Sequence, residues 1–401
     1  MKVLFISVLY MPTHMPSDKR FVRDLIFNLP PEVSASVWAV NDWPDSVTMD
    51  SLHGRSVPVY SGPRLFHSPR YSGTPSAASF YSPHASHGNF RQVLELSTTM
   101  FARQSRLSEA VRREQPDVIH VTDNWGPVLP LVRRAAGGVP ITLAKPSMEH
   151  IQDSAGAYAR FIRMCLRGCD CIVSYDETCT QCLTGAALTE SPVETIPWGI
   201  VPPREKRIPQ ERVNAIRSRY GCGEGDLLAV VSIQSDRALS EVLNEWRSVA
   251  GAIPVKTVAA VKPPHWREEF GKLSSEDMFV ESGPADFTDL LHAADIMFSP
   301  TYSRFVKRTF NPPLTWMEAM VRGTALITSA CPGVSALVQD GKNGFSYASP
   351  GELGVKIAAL KDPSRVRAMQ EAARETISGK YDVAGIAKRY VKVWSRISRA
   401  L

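Results

Sequence analysis

Basic side chains stand next to a predicted helix start late in the chain. Arg304, Lys307 and Arg308 come shortly before Asn311 and Pro312, residue types that favour the cap and the first turn of a helix. A helix start offers free backbone N–H groups and the positive end of the helix dipole, which together bind phosphate. The segment predicts a site for a phosphorylated ligand; the alternative is that the three cations are solvated loop residues.

A carboxylate lies on the same predicted helix. Glu318 is placed about two turns after the helix start, and Gly323 is a residue type that ends helices. A carboxylate here would accept hydrogen bonds from the hydroxyl groups of a ribose or a sugar. A single glutamate on a helix is more often a solvated surface residue, so Glu318 alone does not define a site.

A second group of candidate residues follows two predicted strands in the first half. His120 ends one strand, and four polar residues stand at or just beyond the ends of this strand and the next: Asp123, Lys145, Glu149 and His150. Histidine is a common acid–base group, and the carboxyl ends of parallel strands are where ligands bind. Either His120 takes part in the chemistry or it is a structural hydrogen-bonding residue.

Five of the seven cysteines fall between Cys165 and Cys182. The Cys179-x-x-Cys182 spacing fits a zinc or redox site, but no second close pair from a loop and no nearby histidine complete a ligand set. Cys169 and Cys171 flank and enter an apolar strand, and the later pair follows on a helix. We therefore favour small buried side chains over a metal site.

Short apolar strands alternate with helical patterns, which predicts parallel sheets built from strand–helix–strand units. Runs such as 227–231 are apolar at every position, as expected of strands covered on both faces. The predicted strands are 3–8, 36–40, 118–121, 141–144, 171–174, 193–196, 227–233, 255–261, 278–281, 296–299 and 325–328. The main predicted helices are 19–28, 106–114, 238–251, 288–293 and 314–322.

The strands form two series, which predicts an α/β protein with two doubly wound Rossmann-like domains facing across a crevice. Residues 1–199 would form the N-terminal domain and 208–380 the C-terminal domain, joined by a proline-rich and charged linker at 200–207. Residues 60–90 are a flap or a flexible insertion. Residues 381–401 form a basic amphipathic helix that packs back on the N-terminal domain or, less commonly, lies on a membrane.

Composition excludes several classes of protein. The 401 residues are 44% hydrophobic and 21% charged, which excludes wholesale disorder, and no apolar run approaches the ~20 residues of a membrane span. The N-terminal apolar run lacks a signal-peptide cleavage site, so we expect a cytoplasmic protein. The net charge of +6 is spread along the chain, which argues against nucleic acid binding but permits a polyphosphate ligand or peripheral contact with the cytoplasmic membrane face.

Seven short motifs occur in an order that resembles one enzyme family. They lie at 1–7 with 21–25, at 117–121, at 169–174, at 193–200 with Trp198 where asparagine is usual, at 290–300, at 317–327 and at 340–345. The strongest is 317–327, which contains Glu318. The order resembles the GT-B glycosyltransferases, specifically the retaining GT4-like family, over nearly the whole chain.

The resemblance implies transfer of a sugar from a UDP- or GDP-linked donor to a glycan, lipid-linked or small-molecule acceptor, with retention and without a metal cofactor. Catalysis would involve Glu318 and His120. We expect the donor to contact Arg237, Lys262, Arg304, Lys307, Arg308, Asn311, Leu314, Thr315 and Glu318. We expect the acceptor to contact Lys19, Asp123, Lys145, Glu149 and His150.

Several family positions are altered. Phe310 stands where the first residue of the family's glutamate pair is expected, and Ala336 where a later loop glutamate is expected. Ile233 and Ala238 occupy the positions of the diphosphate-binding arginine and lysine, although Arg237 is one residue away. Residues 15–20 replace a glycine-rich loop. Two alternatives therefore stay open: a catalytically degenerate GT-B protein that acts as a binding or partner subunit, and an enzyme that transfers something other than a sugar.

Overall fold

The structure is a computed structural model that describes two compact units. The described residues are 1–7, 10, 17–39, 49–52, 54–60, 104–122, 129–145, 157–185, 189–203, 208–233, 239–261, 268–282, 287–300, 312–331 and 333–399. The first unit comprises Met1–Val201 and Val383–Leu401, and the second lies within Pro202–Asp382. In the part of the chain that is described, no helix has the length and apolar content needed to span a membrane.

The first unit contains an eight-stranded sheet in the order β3-β4-β2-β1-β5-β6-β7-β8. All its pairings are parallel except that of β3 with β4. The strands are β1 Lys2–Ser7, β2 Ser34–Ala39, β3 Met49–Leu52, β4 Arg55–Tyr60, β5 Val118–Val121, β6 Ile141–Lys145, β7 Cys171–Ser174 and β8 Val193–Thr195. The helices are α1 Ser17–Phe27, α2 Gln104–Glu114, α3 Leu129–Ala136, α4 Ala157–Leu166, α5 Glu177–Gly185 and, at the end of the chain, α13 Val383–Arg399.

The second unit contains a parallel six-stranded sheet in the order β11-β10-β9-β12-β13-β14. Its strands are β9 Leu227–Ile233, β10 Val255–Val261, β11 Met278–Ser282, β12 Ile296–Phe298, β13 Ala325–Ser329 and β14 Gly344–Tyr347. Its helices are α6 Gln210–Arg219, α7 Leu239–Ala250, α8 Glu268–Gly271, α9 Phe287–Ala293, α10 Leu314–Arg322, α11 Pro350–Ala358 and α12 Pro363–Lys380, with short 3-10 turns at Val334–Ala336 and Ala359–Lys361.

The strand order of the second sheet defines where a ligand can bind. The chain begins at β9, moves outward to β11, and then returns to the other side of β9 at β12. This is the doubly wound Rossmann order, in which ligands bind beyond the carboxyl ends of the strands where the direction reverses. The candidate edge of the second unit is therefore the one at which β9 and β12 end.

All eleven predicted strands are present, and their bounds agree with the structure to within two residues. Three strands were not predicted: β3, β4 and β14. β3 has a polar sequence, β4 contains Pro58, and the four-residue β14 begins with a glycine. These residue types are depleted in strands, so neighbouring strands, rather than local propensity, stabilise these three.

The motif at 340–345 builds the turn that leads into β14. Asn343 is fully buried, and its Nδ2 donates hydrogen bonds to Leu337 O at 3.0 Å and to Thr376 Oγ1 at 2.9 Å. Gly344 lies so close to β13 that a Cβ atom at this position would be 2.4 Å from the carbonyl oxygen of Leu326. The motif therefore has a structural role, and only glycine fits at position 344.

The C-terminal helix α13 packs on the first unit through one face. Tyr390 and Trp394 are fully buried, and the Trp394 ring lies 5.7 Å from the ring of Phe5. Its other face exposes five basic residues: Lys388, Arg389, Lys392, Arg396 and Arg399. The apolar face is thus occupied by the body of the protein.

Candidate functional site

The helix that carries Glu318, α10, begins at Leu314. Pro313 occupies the N-cap position with φ −54° and ψ 137°. A residue that precedes proline is disfavoured in the helical conformation, so Pro313 keeps Pro312 outside the helix. The predictions that Asn311 caps the helix and that Pro312 lies in its first turn are wrong, and Glu318 lies about one turn from the start rather than two.

A buried hydrogen bond holds the first turn of α10 against the carboxyl end of β12. Trp316 is fully buried, and its Nε1 donates to Ser299 Oγ at 2.8 Å. Ser299 directly follows β12, and its own N–H donates to Ile327 O in β13 at 3.0 Å. The indole therefore fixes the rotation of α10 about its axis, and with it the direction in which Glu318 leaves the helix.

The other end of α10 is held equally firmly. Gly323 adopts the left-handed conformation at φ 89°, which confirms the predicted C-cap. Its N–H donates to Met320 O at 3.0 Å, and the hydroxyl of the fully buried Thr324 donates to Leu291 O at 2.7 Å. With both ends fixed, the helix is a rigid support for the residues near its N-terminus.

Within α10, Glu318 is half-buried, whereas most of the other side chains are buried. Leu314 and Thr315, predicted to contact the donor, are only 2% and 8% exposed. The described environment of these two side chains is the interior of the unit, so any contact with a donor would involve their backbone or a small exposed surface.

The predicted cations follow the two strands that flank the switch point of the second sheet. Arg237 comes after β9, and Arg304, Lys307 and Arg308 come between β12 and α10. These four residues lie outside the described residues, as do Lys262, Asn311 and Phe310. Their positions in the chain are consistent with a site at this edge, and their contacts stay predictions.

The ring of His120 is enclosed inside the first unit. His120 is 2% exposed, and its Nδ1 lies 2.7 Å from Thr142 Oγ1. The rings of Phe5, Tyr390 and Trp394 surround it at centroid distances between 5.3 and 5.5 Å. Burial lowers the pKa of His120 to about 3, so the ring is neutral near pH 7. This environment fits the structural alternative, and a role in catalysis stays a prediction.

The enclosed histidine predicts a specific dependence of stability on pH. The pKa of His120 is about 3 in the folded chain and near the ordinary 6.5 when unfolded. Between these values the unfolded state binds a proton that the folded state excludes, so stability falls as the pH drops from 6.5 toward 3. Between pH 7 and pH 5 the free energy of unfolding of His120→Asn should fall by about 2 kcal/mol less than that of the wild type, as measured by urea unfolding. The same pH dependence in both proteins would contradict the enclosed neutral ring.

The predicted acceptor residues are only partly described. Lys145 ends β6 and Lys19 lies in the first turn of α1, but neither side chain is among the described ones. Asp123, Glu149 and His150 lie outside the described residues altogether. Lys145 is the last residue of β6 and the other four follow β1, β5 or β6 in the chain; the carboxyl ends of these strands share one edge of the first sheet.

A buried hydrogen-bonded group near the same edge was not predicted. Tyr10 donates to Asp50 Oδ2 at 2.6 Å, and Arg23 donates from Nε and Nη2 to the two carboxylate oxygens at 2.8 and 2.9 Å. Burial and the Asp50 carboxylate raise the pKa of Tyr10 well above its ordinary value. The group anchors the chain just beyond β1. No sequence pattern indicates it, because Asp50 lies in the polar strand β3.

The clustered cysteines are in apolar surroundings. Cys165, Cys169, Cys171 and Cys179 are buried, and burial raises the pKa of the Cys169 thiol to about 12. Such thiols remain protonated and are poor metal ligands or nucleophiles. Over the described residues, no group of three or more potential metal-ligating side chains comes together. The four buried cysteines thus serve as small core residues, whereas Cys182 is half-buried.

Comparison with known proteins shows that both the sequence and the architecture resemble those of glycosyltransferases. The family "Glycosyl transferases group 1" matches residues 226–362, and "Glycosyltransferase Family 4" matches residues 62–204. No curated protein sequence matches the chain. Sucrose-phosphate synthase from Thermosynechococcus elongatus superposes with a TM-score of 0.71 at 14% identity, covering 100% of both chains. A glycosyltransferase from Rickettsia africae superposes with a TM-score of 0.69 at 11% identity, covering 99% of this chain and 98% of that one. Anabaena HepE in complex with UDP superposes with a TM-score of 0.68 at 13% identity, covering 99% of this chain and 100% of that one.

Two doubly wound Rossmann-like domains in one chain define the GT-B class of fold, and the structural neighbours share it. The two sequence matches lie one in each half and together span most of the chain. Together with the fold, these matches support a GT-B glycosyltransferase that resembles family 4 in the first half and group 1 in the second. The chain departs from the family pattern at Phe310, which stands where the first residue of the glutamate pair is expected.

Proposed function

We propose that the protein transfers a sugar from a nucleoside-diphosphate-sugar donor to an acceptor, with retention and without a metal. The observation that carries the proposal is the placement of α10. Its N-terminus follows β12 at the switch point, and Glu318 lies about one turn into the helix. Trp316 and Gly323 hold the helix at either end. HepE has been determined with UDP and with UDP-glucose, which supports UDP as the first nucleotide to test.

The chemistry assigns a different task to each group of residues. When the bond from the anomeric carbon to the diphosphate oxygen breaks, negative charge develops on the leaving diphosphate and the sugar becomes oxocarbenium-like. The N-terminus of α10 at Leu314, the cations and Asn311 would stabilise that charge. Glu318 would accept hydrogen bonds from donor hydroxyls. The acceptor oxygen would form the new bond to the anomeric carbon on the face that the diphosphate leaves, and its proton would pass to the diphosphate. The cations concerned are Arg237, Lys262, Arg304, Lys307 and Arg308.

We propose the carboxyl edge of the first sheet for the acceptor. Polar residues follow three of its strands there, and the buried Tyr10–Asp50 hydrogen bond anchors the chain beyond β1. The acceptor would be a glycan, a lipid-linked molecule or a small molecule, and we expect transfer to take place in the cytoplasm. His120, beneath this edge, would support it through packing and its contact with Thr142.

Nucleotide binding tests the donor side of the proposal. Calorimetry with UDP, GDP, dTDP and ADP should show one nucleotide binding in the micromolar range. Replacement of Arg304, Lys307 and Arg308 by alanine should weaken that binding by about tenfold or more, since each cation contributes a charge-assisted contact to the diphosphate.

The matched control removes the same charge elsewhere, through alanine at Lys388, Lys392 and Arg399 on the exposed face of α13. It should bind as the wild type does. Equal weakening by both triple variants would reject the predicted cations, and binding of none of the four nucleotides would reject the donor proposal.

A non-catalytic binding protein is the second candidate, motivated by Phe310 and Ala336 at family glutamate positions. It predicts nucleotide binding without consumption of any nucleotide sugar. Turnover therefore separates the two candidates where binding does not.

A further inference from the structure

Among the described residues of the first unit, most exposed arginines lie on one layer of helices, α2, α3 and α4, or directly after it. These helices pack on the same side of the sheet, because Leu107, Leu129 and Leu166 belong to one hydrophobic cluster with Leu4 and Ile119. Together with Arg167, the residue after α4, the three helices contain eight arginines and two glutamates and no lysine or aspartate. We refer to this surface as the arginine layer.

The residues of the arginine layer carry an excess of six positive charges, and two acidic side chains from outside it, Asp170 and Glu190, pair with Arg133 and Arg167. The positive charge is spread along the sequence, but the fold brings these basic side chains together on one layer of helices. Only one of the two glutamates, Glu109, is exposed. The exposed arginines are Arg106, Arg112, Arg113, Arg134, Arg160, Arg163 and Arg167.

On α4 the basic residues form a single stripe around an apolar side chain. Arg160, Arg163, Met164 and Arg167 have the spacing of one helical face, and Met164 is 57% exposed. Glu190 offsets the charge of Arg167 at one end of the stripe, but the pair is exposed and weak, and Arg160 and Arg163 keep their positive charge.

We propose that the arginine layer docks on an anionic lipid membrane. Guanidinium groups pair bidentately with phosphates, and a helix with basic residues around an apolar side chain is suited to the lipid interface. Met164 distinguishes a membrane from a nucleic acid, since only the membrane offers an apolar phase beside its phosphates. Docking here goes beyond sugar transfer itself; the consequence that the acceptor is lipid-linked rests on the proposed function.

The other basic surface of the first unit, on α13, lacks these features. Arg389 donates to Thr195 O at 2.5 Å and Arg396 to Glu194 Oε1 at 2.7 Å. The large exposed apolar side chains of the described residues are Met49, Met164 and Val355, none of them on α13. The helix is therefore a control of similar charge and different chemistry.

Co-sedimentation with vesicles of phosphatidylcholine, with and without phosphatidylglycerol, tests the docking. The wild type should bind the anionic vesicles at low salt, and more weakly at physiological salt. Each basic residue near an anionic surface contributes about fivefold. Arg160, Arg163 and Arg167 together changed to glutamine should therefore lower partitioning by at least about tenfold, and Met164→Gln should weaken the binding that remains at higher salt.

The matched control changes Lys388, Lys392 and Arg399 to glutamine, and should lower partitioning by less than about threefold. Thermal unfolding of each variant shows that the fold is retained, and nucleotide calorimetry reports separately on the donor site. Failure of the wild type to bind anionic vesicles, or an equal loss in the two triple variants, would overturn the arginine layer as the docking surface. Tighter binding to a short RNA than to anionic vesicles at the same salt concentration would also overturn the membrane as the partner of this surface.

Discussion

Glu318→Gln is expected to lower the rate of sugar transfer by about 100- to 1000-fold while the fold is retained. Glutamine has nearly the same shape but lacks the charge that makes a carboxylate a strong acceptor of hydrogen bonds. Glu318 is half-buried on a helix fixed by Trp316 and Gly323, so no other side chain of α10 can move into its place.

The measurement is release of nucleoside diphosphate, with kcat and KM determined separately and unfolding followed in urea. Glu375→Gln is the matched control, because Glu375 is an exposed glutamate on α12, away from the strand ends at which the donor is proposed to bind. It should retain wild-type kinetics and stability. Wild-type turnover in the Glu318 variant would remove Glu318 from the site.

Gly344→Ala is expected to destabilise the second unit by about 3 kcal/mol or more. The added Cβ would lie 2.4 Å from the backbone oxygen of Leu326, and a strand backbone cannot move aside as a flexible side chain can. Relief of the overlap would separate β14 from β13, which pair through Leu326 and Gly344. Nucleotide affinity should also fall, because β13 and β12 position the start of α10.

The control for this substitution is Gly351→Ala in α11, where a Cβ meets nothing within 4 Å. Alanine is favoured over glycine in helices by up to about 1 kcal/mol, so this variant should be as stable as the wild type or slightly more stable. Urea unfolding compares the three proteins. Equal unfolding free energies for Gly344→Ala and the wild type would refute the close approach of the two strands.

Much of the fold is predictable because its strands are local apolar runs covered on both faces. β9 and β10 have the bounds that their apolar residues predict, and Gly323 ends α10 where its type indicates. β3 and β14 were missed because their stability comes from pairing with β4 and β13, which lie elsewhere in the chain. The predicted range of α10, 314–322, is confirmed, but its cap was assigned to Asn311 instead of Pro313 because the restriction that each of two successive prolines places on its neighbour was not considered.

The site is less predictable because its side chains, like the missed strands, depend on contacts with residues that are distant in sequence. The enclosure of His120 depends on Trp394, which lies far away in sequence, and the anchoring of Tyr10 depends on Asp50 in an unpredicted strand. The concentration of arginines on α2, α3 and α4 follows from their packing on one side of a sheet, which charge counting along the chain does not show. Motif order indicated the family, whereas contacts between distant residues determine what each side chain can do.

Consumption of a nucleotide sugar by the wild-type chain tests the central claim most directly. The chain would be incubated with UDP-, GDP-, dTDP- and ADP-linked sugars in the presence of candidate acceptors, with and without lipid-linked ones, and with EDTA in a parallel sample. Sugar transfer predicts that one donor is consumed, that its nucleoside diphosphate appears in equal amount with a glycosylated acceptor, and that EDTA has no effect. Binding of a nucleotide without consumption of any donor would contradict the account and favour a non-catalytic GT-B protein.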